Sequence, residues 1–406
     1  MKYRQDIHTD TVRRVIASVI MASCALLFLS CGTMKTASSA GPKADLYAWE
    51  KDRVVTASDR YLKEEPVTIT SFHASRSAGG VHDYFSEGDY WWPDSLDPDG
   101  PYIQKDGLTN PANFVDHRKA LIRFSVQTAS LTAAFSITGE KRYAEHAMKH
   151  FHAWFVSDAT RMNPHLLYAQ AIKGRFTGRG IGIIDTIHLV EVAQSILVLE
   201  EAGLFAPDEI AAIKAWFAEY LQWLLNHQYG KDEMNAKNNH ATCWVMQSAI
   251  FAKLIGDEQT MELCRRRFKE VLLPEQMAMD GSFPLELKRT KPYNYSLFNL
   301  DAMSAICQIL STAKDDLWQY SLPDGRSMKK GIEFMAPYIA DKFSWKYPAD
   351  VMFFEYFPVR QPSLFFAGIA YRETTYIELW KRLNADPTNE EVIRNYPIRQ
   401  PVLWIH

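Results

Sequence analysis

The chain has 406 residues, of which 47% are hydrophobic and 13% are aromatic. This composition is sufficient for a large buried core and excludes an intrinsically disordered chain. The formal net charge of -3 excludes a nucleic-acid-binding protein with a broad basic face, so any anionic partner must be attracted by a local cluster of positive side chains.

The N-terminal segment has the pattern of an export signal. Basic residues at positions 2, 4, 13 and 14 precede an apolar run over residues 15–29. That run is too short and too one-sided for a membrane span and is typical of a signal peptide. It ends at Ser30 and Cys31, and a small residue before a cysteine resembles the cleavage site of bacterial lipoproteins. The sequence therefore predicts a lipoprotein signal peptide over residues 1–30.

Cleavage before Cys31 would leave this cysteine as the acylated first residue of a polar tether over residues 31–43. We therefore expect a lipoprotein of the cell envelope, periplasmic or surface-exposed, that meets the membrane only through its lipid anchor. An ordinary signal peptide cut near Ala37 or Ala40 is the alternative.

The mature chain, residues 44–406, contains no linker and is expected to form one domain. Residues 44–112 are rich in aromatic residues, Pro, Gly and Asp, and their weak periodicity predicts a short helix followed by a long loop region. From Asn113 onward, apolar residues recur at three- and four-residue spacing, which predicts helices. The predicted helices cover residues 115–137, 142–155, 183–202, 207–225, 239–254, 258–272, 296–310, 328–339 and 362–371.

Several of these helices form consecutive hairpins, joined by short breaks at Gly139, Gly203 and Gly256. A hairpin with one apolar face cannot bury that face alone, whereas hairpins stacked around a ring bury all of their apolar faces. We therefore expect an all-α fold, an α/α toroid built as an incomplete barrel of helical hairpins, with a cleft where the loops converge. An open α-solenoid is the alternative topology.

Three cysteines follow the signal region, namely Cys243, Cys264 and Cys307, and their spacing matches neither a metal site nor a redox pair. They are expected to be small core residues. Because Cys243 follows His240 by three positions, a cysteine–histidine nucleophile pair is an alternative, although no supporting motif surrounds it.

The candidate catalytic residues fall in two segments. The first is the Asn-Asn-His stretch at residues 238–240, where an asparagine could simply cap the helix and the histidine could be a half-buried structural residue. The second is the loop over residues 280–296, in which Lys288, Arg289 and Lys291 are followed by two tyrosines. A solvated basic loop with tyrosines packed on the core is its structural interpretation.

Together the two segments resemble the alginate lyase superfamily with the α/α-toroid fold, which is related to polysaccharide lyase families 5 and 38, and the resemblance is closer to family 38. It extends over about residues 113–371 and is tightest in five short stretches: Asn-Asn-His at 238–240, Trp244, Asp-Gly-Ser-Phe-Pro at 280–284, Arg-Thr at 289–290 and Tyr-Ser-Leu-Phe-Asn-Leu at 295–300. The resemblance implies a lyase that cleaves a uronic-acid polymer by β-elimination, with alginate as the expected substrate and glucuronan or another β-linked uronan as the alternative.

The resemblance also implies roles for four residues. Removal of the C5 proton of a uronate places further charge on its carboxylate, which must be stabilised electrostatically. Asn239, His240 and Arg289 carry the donors for this, and a guanidinium matches the geometry of a carboxylate. Tyr295 would be the general base and acid on mannuronate, with its phenolate favoured by Arg289, whereas His240 would be the base on guluronate. Tyr293 is the alternative tyrosine.

This chemistry needs no metal or other cofactor, and no set of ligand residues has the spacing of a metal site. The expected partner is an anionic polysaccharide, and the sequence does not indicate the oligomeric state. Further candidates for contact with neighbouring sugars are aromatic, polar and basic side chains, several of them in or near a basic glycine-rich loop at residues 173–180. They are Tyr90, Trp91, Trp92, Tyr168, Gln170, Arg175, Arg179, His188, Lys288, Tyr293 and Arg360.

Two other classes of function remain as alternatives. A glycoside hydrolase on an α/α barrel would need a pair of carboxylates, and Asp280 and Glu286 lie near the basic loop without the marks of a poised acid and base. A non-catalytic glycan-binding lipoprotein of the cell envelope would not need Asn239, His240 and Arg289 together with a tyrosine.

Overall fold

The computed structural model describes residues 42–405. The predicted signal peptide and the lipid anchor at Cys31 therefore lie outside the described residues, as does the tether except for its last two positions. A compact unit begins at Tyr47 and contains the rest of the described chain.

Helices dominate this part of the chain. In chain order the α-helices are α1 (Pro42–Tyr61), α2 (Asp116–Thr138), α3 (Lys141–Phe151), α4 (Leu189–Glu201), α5 (Pro207–Asn226), α6 (Gln228–Met234), α7 (Asn239–Ile255), α8 (Glu258–Arg267), α9 (Leu273–Gln276), α10 (Pro284–Leu287), α11 (Pro292–Leu310), α12 (Met328–Ala340), α13 (Pro362–Ala370), α14 (Thr374–Arg382) and α15 (Glu390–Arg394). Two π-helical stretches, His152–Val156 and Phe268–Leu272, extend α3 and α8. Short 3-10 helices cover Ile69–Ser71, Gly180–Thr186, Lys342–Ser344, Phe354–Tyr356 and Pro401–Trp404.

The helices are arranged as an α/α toroid, as the sequence predicted. An inner series packs in order, α2 on α4, α4 on α7, α7 on α11 and α11 on α13, and outer helices such as α3, α5, α8 and α14 cover it. The 3-10 helix Pro401–Trp404 packs back on α2 and α4. It also accepts side-chain hydrogen bonds from Gln194 on α4 and Gln308 on α11. These contacts link the last element to the first inner helices, whereas an open solenoid would keep them apart.

Burial distinguishes the inner from the outer helices. All residues of α11 except Gln308 are buried, because neighbouring helices cover it on nearly every side. Helix α2 is apolar and long enough to cross a membrane by composition, but it is a mostly buried core helix of this domain. The outer helix α3 instead buries one face and exposes Lys, Arg and Glu side chains on the other, the amphipathic pattern of a surface helix.

The helix ends show which boundaries local sequence determines. Gly139 and Gly256 end α2 and α7 in the left-handed conformation, with φ of 74° and 77°, which favours glycine and agrees with the predicted breaks. Helix α11 begins at Pro292, earlier than residue 296 where the sequence placed its start. The Asp350 carboxylate accepts the backbone N–H groups of Tyr293 and Asn294, so a distant residue stabilises this extra turn.

Four short strands lie in the regions expected to be loops. Strand β1 (Phe85–Glu87) pairs in parallel with β4 (Tyr168–Ala171), and β2 (Trp91–Trp92) pairs antiparallel with β3 (Ile103–Gln104). These pairings bring the aromatic N-terminal segment next to the glycine-rich loop.

Candidate active site

A pocket of about 120 Å³ lies where the first turns of α7 and α11 meet the N-terminal segment. Asn239, His240, Arg289 and Tyr295 all line it. The structure therefore brings together the four side chains predicted to be catalytic, although they come from two segments that are far apart in sequence.

His240 lies in the first turn of α7 and contacts a buried carboxylate on α6. Its Nδ1 atom is 2.7 Å from Oε1 of Glu233, whose side chain is 1% exposed. Burial, the largest single effect, lowers the pKa of His240, but the Glu233 carboxylate together with Glu286 outweighs it, so the pKa is raised overall. The imidazole is therefore more basic than its burial alone would allow.

Asn239 is held by a second buried carboxylate, Glu286 of α10. The backbone N–H and the side-chain Nδ2 of Asn239 each donate to one Glu286 oxygen, both at 2.8 Å. This bidentate contact satisfies the backbone N–H of Asn239 in the first turn of α7. From the sequence alone, an asparagine side chain could have been the cap of this helix. The side chain of Asn238 makes no capping hydrogen bond.

Arg289 is positioned by a third carboxylate. Its Nη2 atom donates to Asp106 at 3.0 Å, and Thr290 donates to the other oxygen of Asp106 at 2.9 Å. The guanidinium also lies 4.5 Å from the ring centre of Tyr295, and Nη2 is 3.5 Å from its hydroxyl. Arg289 can therefore contact both a substrate carboxylate and the tyrosine oxygen.

The hydroxyl of Tyr295 lies 2.8 Å from that of Tyr90. Burial raises the pKa of Tyr295 to about 12, and the opposing effects of Arg289 and the Tyr90 hydrogen bond do not cancel it. The expectation that Arg289 would favour the phenolate is thus right in direction, but burial is the larger effect. The Tyr295 hydroxyl therefore keeps its proton at neutral pH.

Arg179 gives the pocket a cation without an acidic partner. Its Nε donates to the backbone carbonyl of Gln170 at 2.8 Å, and within the described residues no carboxylate lies within 4.0 Å of the guanidinium. Burial lowers its pKa to about 10, because the attraction of Asp185 and Asp89 only partly offsets the loss of water. Gln170 itself has a φ of 49°, a left-handed conformation that is uncommon for a residue other than glycine.

A model of the alginate lyase family matches residues 68–345. A crystal structure of an alginate lyase from Bacteroides ovatus is 31% identical, with a TM-score of 0.76, and the match covers 87% of this chain and 95% of that one. The chain belongs to the alginate lyase family. It is a polysaccharide lyase, and the predicted superfamily is confirmed.

Two solved structures of alginate lyase A1-III share the fold at lower identity. A variant complexed with a tetrasaccharide is 14% identical, has a TM-score of 0.54 and is matched over 87% of this chain and 94% of that one. A second variant in complex with a tetrasaccharide is 16% identical, with a TM-score of 0.51 and coverage of 90% and 96%. No curated protein matches the chain.

Some predicted binding residues of the lyase lie at the pocket. Tyr90, Trp91, Gln170 and Arg179 line it. Arg175 is exposed beside them, with its guanidinium 5.6 Å from the ring centre of Trp91, and its Nε donates to the carbonyl of Tyr102.

Three other predictions were wrong, because the side chains are used within the fold. The hydroxyl of Tyr293 donates to the carbonyl of Tyr338 in the core, at 3.0 Å, so of the two candidate tyrosines it is Tyr295 that lines the pocket. His188 is buried behind the pocket with its Nε2 3.0 Å from the carbonyl of Arg394. Arg360 does not line the pocket and pairs with the buried carboxylate of Glu50 at 2.7 Å.

Tyr168, Trp92 and Lys288 also do not line the pocket of the lyase. The ring of Tyr168 packs near His165, and the indole of Trp92 donates to the carbonyl of Leu108. Lys288 is exposed. Trp91 lines the pocket and Trp92 does not, because successive side chains of a strand point to opposite faces.

The alternative chemistries find little support in this geometry. Both oxygens of Glu286 accept hydrogen bonds from Asn239, and Asp280 accepts from Ser282 in its own turn, so neither carboxylate is placed as a hydrolase acid. Cys243 is fully buried and its pKa is raised well above the ordinary value by burial, which makes it a poor nucleophile. Within residues 42–405, no group of three His, Cys, Asp or Glu side chains has the geometry of a metal site.

Sequence reasoning missed the acidic partners. Glu233, Asp106 and Asp89, together with the basic residue Arg394, carry no local motif, and only the fold shows that they meet the catalytic segments. Asp89 receives hydrogen bonds from Arg118 and pairs with Arg394 at 2.7 Å, and these cations lower its pKa to about 2 against the effect of burial. In the sequence Arg118 stands between His117 and Lys119 in the first turn of α2, so its local surroundings do not mark it as a buried partner.

Proposed function

We propose that this polysaccharide lyase depolymerises alginate by β-elimination, leaving an unsaturated uronate at the new non-reducing end. The observation that carries the proposal is the meeting of Asn239, His240 and Arg289 around the hydroxyl of Tyr295 in one pocket. Three donors of different chemistry beside a proton-transfer group is the arrangement that elimination from a uronate requires.

Asn239 and Arg289 would stabilise the substrate carboxylate as the C5 proton leaves, and His240 would add its positive charge once it has taken that proton. Each is already fixed by its own carboxylate, so no reorganisation is needed when charge develops. The pocket also lies at the N-terminal ends of α7 and α11, where helix dipoles favour an anion. These features support an acidic sugar at the position of cleavage.

Two proton-transfer routes fit the geometry. On guluronate, His240 would take the C5 proton, the C5–H electron pair would form the C4=C5 bond, and Tyr295 would protonate the departing O4. On mannuronate, where C5–H and O4 lie on the same side, Tyr295 would take the C5 proton as phenolate and then return it to O4. Burial holds the pKa of Tyr295 at about 12. The mannuronate route, in which Tyr295 must first lose its proton, therefore costs more than the guluronate route, in which Tyr295 starts protonated.

The choice of a polyanion as substrate is supported by the uncompensated cation at the pocket. Arg179 and the exposed Arg175 both lie over the face of Trp91, at 5.8 and 5.6 Å from its centre. An aromatic face beside two guanidinium groups offers a stacking surface for a sugar and a partner for its carboxylate.

The test is the ultraviolet absorbance of the unsaturated product during incubation with polymannuronate, polyguluronate or glucuronan, with and without chelator. We expect an increase on the alginate blocks that resists chelator and falls by about 10²-fold or more in Tyr295→Phe. Tyr293→Phe is the matched control, since it removes a hydroxyl from the same helix turn outside the pocket and should retain activity. An increase on glucuronan alone would replace alginate as the substrate, and no increase on any uronan would contradict the proposal.

A further inference from the structure

Glu233 is the acidic residue most tightly associated with a catalytic candidate. It lies on α6, a helix of its own, and reaches across to the first turn of α7, where Oε1 is 2.7 Å from Nδ1 of His240. Its side chain is 1% exposed, so this contact is shielded from water. Charge-assisted hydrogen bonds of this length are strong in such surroundings.

The surrounding fold prevents Glu233 from moving away. Helix α6 follows α5 with only His227 between them, and Nδ1 of His227 accepts the N–H of Tyr229 at its start. Gly230 packs so closely on the end of α5 that a Cβ atom there would lie 1.9 Å from the carbonyl oxygen of Leu224. The tight packing of α6 on the end of α5 therefore fixes the position of the Glu233 carboxylate beside His240.

The second carboxylate oxygen of Glu233 is unsatisfied within the described part of the chain. Oε2 is buried and has no hydrogen-bond partner among the described residues. A carboxylate retained for stability would normally have both oxygens satisfied, because a buried unpaired oxygen is costly. A buried carboxylate with its single bond directed at one imidazole fits a role in setting the state of that imidazole.

The contact fixes the tautomer of His240. A carboxylate at Nδ1 accepts a hydrogen bond from the N–H of that nitrogen, which leaves Nε2 with its lone pair as the ring nitrogen available to the pocket. A neutral histidine with a free Nε2 is a general base, whereas the opposite tautomer would present an N–H and could not accept the C5 proton.

We infer that Glu233 is the positioning residue that makes His240 the general base on guluronate, and that it is largely dispensable on mannuronate. This inference rests on the proposed function. In the guluronate reaction the C5 proton passes to Nε2 of His240, the C5–H electron pair forms the C4=C5 bond, the C4–O4 bond breaks and O4 takes the Tyr295 proton. The imidazolium formed in this step remains paired with Glu233 until it returns its proton to solvent.

Several other charges face His240 and affect its titration. Glu286 of α10 also favours the imidazolium, and Arg289 opposes it. The remaining titratable groups around the same pocket are Asp89, Tyr90, Asp106, Arg179, Tyr295 and Arg394. Glu233 is the group in direct contact, so its removal should be the largest single change.

The deciding experiment compares Glu233→Gln with the unchanged protein by two measurements. NMR titration of the His240 ring, without substrate, should show its pKa lowered by about one unit or more. In kinetic assays, kcat/KM should fall by about tenfold or more on polyguluronate and by less than about threefold on polymannuronate. The low-pH limb of the polyguluronate profile should move to lower pH, because the base must be neutral to act.

Controls separate positioning from folding. In a His240→Ala background, Glu233→Gln should have no further effect on polyguluronate. Glu233→Asp keeps the charge but moves it away from His240, so it should give a smaller decrease in the His240 pKa and in kcat/KM on polyguluronate. It replaces Glu233→Gln in both measurements if that variant fails to fold. Equal losses on both polymers with an unmoved His240 pKa would overturn the inference. Because the NMR titration needs no turnover, it reports on Glu233 even if the unchanged protein cleaves no uronan and the proposed function fails.

Discussion

Asn239, His240 and Arg289 share one feature, in that each donor is held by its own carboxylate. The partners are Glu286, Glu233 and Asp106, which balance much of the positive charge before any ligand arrives. Pre-oriented donors of this kind are most effective when charge develops late in the reaction. Arg179 is different, because it lacks an acidic partner and so is free to bind a substrate carboxylate in the ground state.

We therefore expect Arg179→Gln to weaken binding more than turnover. Loss of one charge-assisted contact should raise KM by about tenfold or more and leave kcat within about threefold. Arg142→Gln is the control, since that guanidinium lies on the outer helix α3 and pairs with Asp59 and Glu140. Initial rates over a range of polymer concentration at two salt concentrations would measure this, and a loss confined to kcat would contradict it.

Candidate catalytic residues could be predicted from the sequence where they belong to a short local motif. The Asn-Asn-His stretch and the Arg-Thr pair were recognised because the residues are consecutive. Glu233 and Asp106 were missed because the first lies on a separate short helix and the second is 183 positions from Arg289. Such partners are brought to the site by the packing of helices, so no fixed spacing in the sequence identifies them.

At the scale of elements, the first turn of α11 determines where Tyr295 lies. That turn exists because Asp350 caps it from 57 positions away in the chain. Apolar periodicity and terminal glycines predicted most helices, since both signals are local. The true start of α11 and the short helices α6 and α15 depend on tertiary contacts, so periodicity did not reveal them.

Removal of this cap should affect both stability and catalysis. We expect Asp350→Ala to lower the free energy of unfolding by about 1–2 kcal/mol and to reduce kcat, because the Tyr295 turn is no longer held. Asp257→Ala removes a comparable cap from the outer helix α8, where its carboxylate accepts from Thr260. Denaturant unfolding and product absorbance for the two variants would test this, since only the first should lose activity beyond its loss of stability.

At the scale of the whole molecule, buried acids give stability a dependence on pH. Burial raises the pKa of Glu191 from 4.5 to about 7 and that of Asp301 from 3.8 to about 7. The folded state then binds protons that the unfolded state has released, so these groups make the free energy of unfolding fall as pH rises through that window. Burial lowers the pKa of His150 from 6.5 to about 4, and this histidine acts in the opposite direction.

Asp301→Asn should therefore stabilise the protein at neutral and alkaline pH. An asparagine can still accept the N–H of Ser363, which Asp301 accepts at 3.1 Å, but it cannot ionise. We expect a gain of roughly 1–2 kcal/mol at about pH 8 and none at about pH 4. Thermal unfolding across this pH range would measure the difference, and an equal effect at both ends would refute the assignment.

The return of Pro401–Trp404 to α2 and α4 has a consequence for how the protein is made. The bond from Gln194 to the carbonyl of Leu403 joins positions 209 apart, and the bond from Gln400 to Ser130 of α2 joins positions 270 apart. Residue 403 must leave the ribosome before the first of these bonds can form, long after α2 and α4 have emerged. Closure of the toroid by this contact therefore carries the entropic cost of a long loop, a cost that contacts between neighbouring helices do not have.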